Sequence, residues 1–323
     1  MHARHFLWIG IAVAGALLAG GAIYRAFSDD LSAERARVNQ GSELFQSRFG
    51  AMEYAVAGDE NGPPVLMVHG TGGGFDQGLG ASGPLIAAGY RIIAPSRFGY
   101  LRSAVPDDPS SEHQADAIVD LMDHLRIDRA PVIGISAGAL PAIQFAIRHP
   151  DRCSALVAVV PATYVPGRAP VRPNALGAAI MEYGLQSDFL FWAGLQLAED
   201  TMIGTLLATD PALVHQAAPA EQDRARGILH DILPVSARSK GLLNDAQLAG
   251  TPAPMDLTAI TVPTLAISLE DDRFGTYAAA RHIAESVAGA NFVSYPVGGH
   301  VFVGHGPELF QEIGAFLSGI QGS

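Results

Sequence analysis

The chain has 323 residues, 49% of them apolar and 16% charged. That is enough apolar material for one large core and too little charge for a disordered chain. A net charge of −12 argues against a nucleic-acid partner, which requires a basic face. The single cysteine, Cys153, excludes an internal disulfide and a cysteine-based zinc site; at the head of an apolar run it reads as a buried small hydrophobe. Nothing in the composition calls for a cofactor or a metal.

In chain order, Phe6 to Ile23 is an 18-residue run without charge, flanked by Arg4 and Arg25. It is just long enough to cross a bilayer core as a helix, and residues 1–25 are predicted to be a single membrane anchor. The alternative is a signal segment cleaved near Gly20-Gly21-Ala22, which would release a secreted form. Arg4 before the run and Arg25, Arg35 and Arg37 after it do not favour a cytoplasmic N-terminus. A short basic start followed by an apolar run is nevertheless what export machinery reads, so the remainder is expected on the extracytoplasmic side. Residues 26–43 are polar and mixed in charge, and read as a tether or short helix.

Leu44–Phe49 and Met52–Ala57 read as two strands around Gly50, a hairpin at a sheet edge. Val65-Leu66-Met67-Val68 is a continuous apolar strand of the kind buried on both faces of a parallel sheet. A helical stretch to Ala88, a strand Arg91–Ala94, a helix around His113–Leu125 and the strand Val132–Ile135 follow. The helix Ala139–His149 and the strand Ala155–Val160 come next. After an interruption, strand Thr264–Leu269, helix Thr276–Val287, strand Asn291–Tyr295 and helix Pro307–Ile320 complete the alternation. Strands alternating with helices imply a mostly parallel sheet covered on both faces, with its site at the C-terminal strand ends. The core is therefore assigned to 44–160 and 261–323. Between them, 161–260 has helical periodicity at Ala175–Glu182, Asp188–Leu197 and Ala220–Leu233, and reads as an inserted helical cap. Phe189 and Trp192, with Phe191 and Met202, are candidates for an apolar substrate pocket; each also fits the cap's own core.

Four glycine-rich or polar stretches stand directly after predicted strands. Gly134-Ile135-Ser136-Ala137-Gly138 joins a strand to a helix through a tight turn with one serine at its apex. A hydroxyl there can act as a nucleophile if a base, a group that orients the base and oxyanion donors converge on it. The base candidate is His300, in Val297-Gly298-Gly299-His300, with His305 as its neighbour and rival. The orienting acid should come from Glu270-Asp271-Asp272-Arg273; Asp272 is the first choice and Asp271 the second, and either could instead cap the helix near Thr276. His69-Gly70-Thr71-Gly72-Gly73-Gly74 frees backbone N–H groups, so Thr71 or Gly72, together with Ala137, is expected to hold the tetrahedral oxygen. The same loop lacks the Gly-Lys-Ser/Thr ending of a phosphate cradle.

On these four stretches, from about Leu44 to Ile320, the chain resembles the α/β-hydrolase fold superfamily. The resemblance implies a mostly parallel eight-stranded sheet with helices on both faces, a helical cap and the triad Ser136, Asp272, His300. It departs from that pattern at Ser96-Arg97-Phe98-Gly99-Tyr100, where many relatives carry an aspartate before Arg-x-Gly. Serine at 136 argues against the haloalkane-dehalogenase and epoxide-hydrolase branches, whose nucleophile is a carboxylate. The resulting expectation is a serine hydrolase cleaving an ester or related acyl bond of a small apolar molecule through an acyl-enzyme. Cofactor-free haloperoxidase or perhydrolase, carbon–carbon bond hydrolase and acyltransferase chemistry use the same triad. A non-catalytic ligand-binding protein of this fold is the alternative of another class. Oligomeric state is not legible.

Overall fold

The computed structural model describes residues 2–169 and 183–321, with side chains for Trp8, 14–169 and 183–320. Among the described residues the strands form one eight-stranded sheet in the order β1-β2-β4-β3-β5-β6-β7-β8. The hairpin β1 (Glu43–Ser47) and β2 (Gly50–Gly58) pairs antiparallel, and β2 also runs antiparallel to β4 (Arg91–Pro95). From β4 onward all pairings are parallel, through β3 (Pro64–Val68), β5 (Ala130–Ile135), β6 (Cys153–Val159), β7 (Thr264–Leu269) and β8 (Asn291–Tyr295).

Side-chain alternation along the central strands builds a core on each face of this sheet. Leu66 and Val68 of β3 and Leu156 and Ala158 of β6 join one core, which is roofed by the helices Ser111–His124 and Ala139–Arg148. Val65, Met67, Val157 and Val159 join the other, under the C-terminal helix Gly306–Gln321. Two-sided burial explains why these strands read as unbroken apolar runs. Cys153 is buried at the start of β6, and burial pushes its thiol pKa up to about 12, the signature of an inert core residue.

Between β6 and β7 the described residues form helices only: Asp188–Leu197, Glu199–Leu206, Pro211–Gln216, Pro219–His230 and Ser239–Leu248. They share a third core built on Phe191, Trp192, Leu195, Ile203, Leu229 and Ile232. Glu199–Leu206, Pro211–Gln216 and Ser239–Leu248 escape the periodicity reading because two are short and the third carries little apolar signal. The predicted helix Ala175–Glu182 lies outside the described residues.

The largest departure is at the N-terminus, where α1 runs unbroken from His2 to Val38. The stretch expected to be a tether or short helix is its second half. No glycine or proline falls between Ala22 and Gln40, so nothing stops the helix until Gly41, at φ 77°. Arg35 and Arg37 in its last turn complement the helix dipole. The predicted anchor Phe6–Ile23 falls in part on side chains outside the described set. Among the described residues no helix is long and apolar enough to cross a membrane.

Candidate active site

The loops that leave β3, β5, β7 and β8 meet at one end of the sheet. Ser136 follows β5 and takes φ 53°, a left-handed backbone unusual for a residue with a side chain. Such a conformation costs on the order of 1–3 kcal/mol and persists only where its surroundings hold it. Three contacts hold this one. A side chain at Gly134 would collide with Ala139 and Ala142 of the helix Ala139–Arg148, and one at Gly138 would collide with the carbonyls of Val68 and His69. The Ser136 carbonyl accepts the N–H of Ala162, just beyond β6, at 3.1 Å.

His300 comes to this serine from the loop after β8. Its Nε2 lies 3.0 Å from Ser136 Oγ and its Nδ1 lies 2.7 Å from Asp272 Oδ2. A carboxylate can only accept, so Nδ1 carries the proton and Nε2 is left with its lone pair facing the serine hydroxyl. Asp272 also accepts the Phe274 N–H at 2.8 Å and the Thr276 hydroxyl, which in turn receives the Ser268 hydroxyl. Burial opposes ionisation of Asp272, but the imidazole of His300 and these further donors outweigh it and hold the carboxyl below its ordinary value. The ring of Phe274 stands edge-on to the imidazole at 5.0 Å.

The neighbouring acid has a different task. Asp271 accepts the N–H groups of Gly298 and Gly299 at 3.1 and 2.9 Å, which fixes the turn that aims His300. It does not cap the following helix, whose N-cap is Gly275. His305, the rival base, stacks on Tyr295 at 4.6 Å between centroids, whereas the hydrogen bond with Ser136 is made by His300.

The loop after β3 lies against the serine: a Cβ on Gly70 would stand 3.2 Å from that of Ser136. His69 anchors the loop. Its Nδ1–H donates to the Gly70 carbonyl at 2.7 Å and its Nε2 accepts the Arg97 N–H at 2.9 Å. Complete burial and then the charge of Arg97 lower its pKa to about 3, so the ring is neutral. The expectation for Gly72 needs correction. Its N–H donates to the Tyr100 phenol oxygen at 3.3 Å, which leaves the N–H groups of Thr71 and Ala137 as the oxyanion pair to be considered. The Thr71 hydroxyl is also engaged, donating to Asp245 at 2.9 Å.

Asp245 is a buried carboxylate on the helix Ser239–Leu248, and sequence reasoning missed it. It accepts both ends of the Arg97 guanidinium at 2.7 and 2.5 Å and the Tyr100 hydroxyl at 2.6 Å. The Ser96–Tyr100 departure thereby becomes a junction between sheet and cap. Ser96 donates to Glu53 of β2 at 3.0 Å and receives the Phe75 N–H at 3.0 Å. No local pattern could find these partners, because Arg97 and Asp245 are 148 positions apart.

The helical segment also grips the histidine loop. Arg224 donates to the Val301 carbonyl at 2.6 Å, Glu221 accepts the Gly304 N–H at 3.0 Å, and Thr209 packs against Gly299. Arg273, next to Asp272 in the chain, pairs with Asp210 at 2.8 Å. Phe189 and Trp192, expected near the substrate, instead join Phe27 of α1 in an aromatic cluster, with ring centroids 5.2 and 5.7 Å from it. The indole N–H needs an acceptor once buried and finds Asp30 of α1 at 2.8 Å. The structure thus brings together Ser136, Asp272 and His300 beside the Gly70–Gly74 loop, and places the two aromatic candidates at the junction with α1. Among the described residues no three His, Cys, Asp or Glu side chains gather as metal ligands would.

Comparison with known proteins places this geometry among relatives. A family model described as alpha/beta hydrolase fold matches residues 63–307. A 2-hydroxy-6-oxononadienedioate/2-hydroxy-6-oxononatrienedioate hydrolase of Paraburkholderia xenovorans (strain LB400) is 30% identical over 240 residues, covering 69% of this chain and 75% of that protein. Among solved structures, an alpha/beta hydrolase fold protein from Nakamurella multipartita superposes with a TM-score of 0.67 at 25% identity, over 85% of this chain and 98% of that one. A structure described as a membrane phospholipase A, a bacterial virulence factor, matches in fold over 99% of this chain and 100% of its own, with a TM-score of 0.63 at 21% identity.

Proposed function

The chain belongs to the alpha/beta hydrolase fold family and is a hydrolase; on that premise we propose that it is a serine hydrolase that cleaves an ester or related acyl bond of a small molecule through an acyl-enzyme on Ser136. The observation that carries this reading is the unbroken line from Ser136 Oγ through His300 to Asp272, at 3.0 and 2.7 Å. Ser136 Oγ attacks the acyl carbon while His300 Nε2 takes its proton. Asp272 keeps the proton on Nδ1 and stabilises the imidazolium that forms. The tetrahedral oxygen is held by the N–H groups of Thr71 and Ala137. His300 returns the proton to the leaving group, then deprotonates the water that releases the acyl group. Mixing the full-length protein with a fluorophosphonate probe and a panel of p-nitrophenyl esters of increasing chain length tests this. Labelling and turnover are expected in the wild type and neither in Ser136→Ala; full turnover in that variant would end the proposal.

A second reading, hydrolysis of a carbon–carbon bond, is favoured by the 30% identity to the Paraburkholderia enzyme. It uses the same side chains on a vinylogous diketone. Loss of the dienoate chromophore of a 2-hydroxy-6-oxo-dienedioate, faster than ester turnover, would select it.

We also infer that α1 anchors the domain in a membrane, with the hydrolase on the extracytoplasmic side. The apolar run Phe6–Ile23 supports this, as do Leu17, Leu18, Ile23 and Tyr24, which are exposed on α1 where a purely aqueous helix would carry polar groups. Retention in the pellet after alkaline carbonate extraction and digestion by protease added to spheroplasts are expected. A soluble protein with a new N-terminus near Ala22 would indicate the cleaved form instead.

A further inference from the structure

The last turn of α1 is tied to the loop beside Ser136 by a chain of charged hydrogen bonds. Arg37 Nη1 donates to Asp76 Oδ2 at 2.6 Å, and its Nη2 reaches the carbonyls of Asp231 and Leu233 at 2.9 and 3.2 Å. Asp76 stands in the first turn of the helix Phe75–Gly80, directly after the Gly70–Gly74 loop. The same carboxylate takes a second guanidinium from Arg238, with Nη2 to Oδ2 at 2.6 Å and Nη1 to Oδ1 at 3.2 Å. Arg238 is wholly buried, and its remaining donors are aimed at backbone. One goes to the Gly73 carbonyl at 2.5 Å, and others to Ile232 and Asp231 at 3.0 and 2.9 Å.

A second path from α1 ends at the same turn. Arg35 pairs with Asp188 at 3.3 Å, and Asp188 accepts both the N–H and the hydroxyl of Ser236 at 2.8 Å. Ser236 lies in the turn Val235–Ala237 that leads into Arg238. Both arginines of the terminal turn therefore brace the residue that holds Gly73. Gly73 N–H in turn closes the loop on the Gly70 carbonyl at 3.3 Å. Thr71 sits inside that closed loop.

We propose that Arg37 is a positioning residue for the oxyanion loop, acting through Asp76 and Arg238 on the Gly73 carbonyl, so that the N-terminal helix is part of the active-site scaffold. This rests on the reading of Ser136 as nucleophile with the Gly70–Gly74 loop as its oxyanion donor. A guanidinium is required because it must bridge a carboxylate and two carbonyls at once, which a lysine ammonium cannot do with the same planar fork. Its loss leaves Asp76 held by Arg238 alone and loosens the brace on the Gly73 carbonyl, and a misplacement of about 1 Å near the chemistry is costly.

Steady-state kinetics and hydrogen–deuterium exchange on the full-length protein in detergent micelles test the proposal, using wild type, Arg37→Met, Arg37→Lys, Ser136→Ala and the surface control Arg281→Met. Arg37→Met should lower kcat about tenfold, short of the hundredfold or more that outright loss of an oxyanion donor costs, with KM within about twofold of wild type. Deuterium uptake should rise in the peptide covering 70–80, and Arg37→Lys should recover only part of both effects. Arg281→Met, on an exposed helix face, should change neither. Wild-type kcat in Arg37→Met alongside an inactive Ser136→Ala overturns the inference and leaves the serine reading standing. Full activity in Ser136→Ala overturns the serine reading, and the exchange measurement then decides the coupling alone: unchanged uptake across 70–80 in Arg37→Met refutes it.

Discussion

Replacing Asp245 by asparagine removes one negative charge from the most deeply buried ion pair at the junction of sheet and cap. Arg97 and Asp245 are 3% and 1% exposed, so water cannot substitute for the missing charge. Both terminal nitrogens of Arg97 point at this carboxylate, and its Nε donates to the His69 carbonyl at 2.9 Å. Burial alone would raise the carboxyl pKa of Asp245, yet Arg97 and Tyr100 hold it below the ordinary value, so the pair is charged in the folded protein. Breaking such a pair by removing one partner costs about 3–5 kcal/mol, chiefly because the surviving charge is left uncompensated. Asparagine keeps one acceptor oxygen, which places the expected loss at the lower end, about 3 kcal/mol. Urea unfolding followed by circular dichroism should show a lower midpoint at an unchanged slope. Adding Arg97→Met removes the stranded charge, so the double variant should recover much of the loss despite carrying two substitutions. An Asp245→Asn variant within about 1 kcal/mol of wild type, or a double variant showing the sum of two large losses, would refute the argument that the cap is held by a buried charge.

Asp272→Asn should lower kcat about ten-thousandfold with little change in KM, because an amide can donate to Nδ1 and drive the proton onto Nε2; a loss under tenfold in ester turnover would separate this carboxylate from the chemistry. Asp271→Ala strips the acceptor from Gly298 and Gly299 and should cost about 2 kcal/mol in urea unfolding, as charged hydrogen bonds do. The same variant should reduce kcat without moving the pH profile of kcat/KM, and a displaced profile would mean that Asp271 acts on the proton transfer itself. Acid should destabilise the protein through Asp76. Its burial favours the neutral form, but Arg238 and Arg37 overcome this and lower its pKa to about 2 from 3.8. A folded pKa below the unfolded one gives stability that is complete above about pH 5 and is lost as pH falls towards 2, about 2 kcal/mol in all. Asp245 and Asp272 shift in the same direction. Urea midpoints at pH 7 and pH 3 check this, and a midpoint that holds or rises on acidification would contradict it.

Much of the architecture was legible because it is written in short-range pattern. The strands Thr264–Leu269 and Asn291–Tyr295 have the predicted limits, since apolar runs between turn residues leave little choice. Ser136, Asp272 and His300 could be named because each follows a strand, and a mostly parallel sheet gathers its strand ends. The choice between Asp271 and Asp272 was harder, since adjacent carboxylates share every sequence signal. It was decided by which one faces the imidazole and which one faces the backbone of residues 298–299.

What depended on tertiary structure is of a different kind. The sequence showed a glycine-rich loop but not that Tyr100 takes the N–H of Gly72, nor that Arg97 finds its carboxylate 148 residues away. It showed aromatic residues at 189 and 192 but not that they turn towards Phe27 and Asp30 of α1. It showed arginines after an apolar run, but not that one of them meets Asp76 and, through it, Arg238. Secondary structure and strand-end motifs follow from periodicity and backbone sterics, which act between near neighbours. Which buried charge pairs with which, and which N–H stays free for a substrate oxygen, is settled only when distant segments exclude water together, because only there is an unpaired polar group too costly to leave.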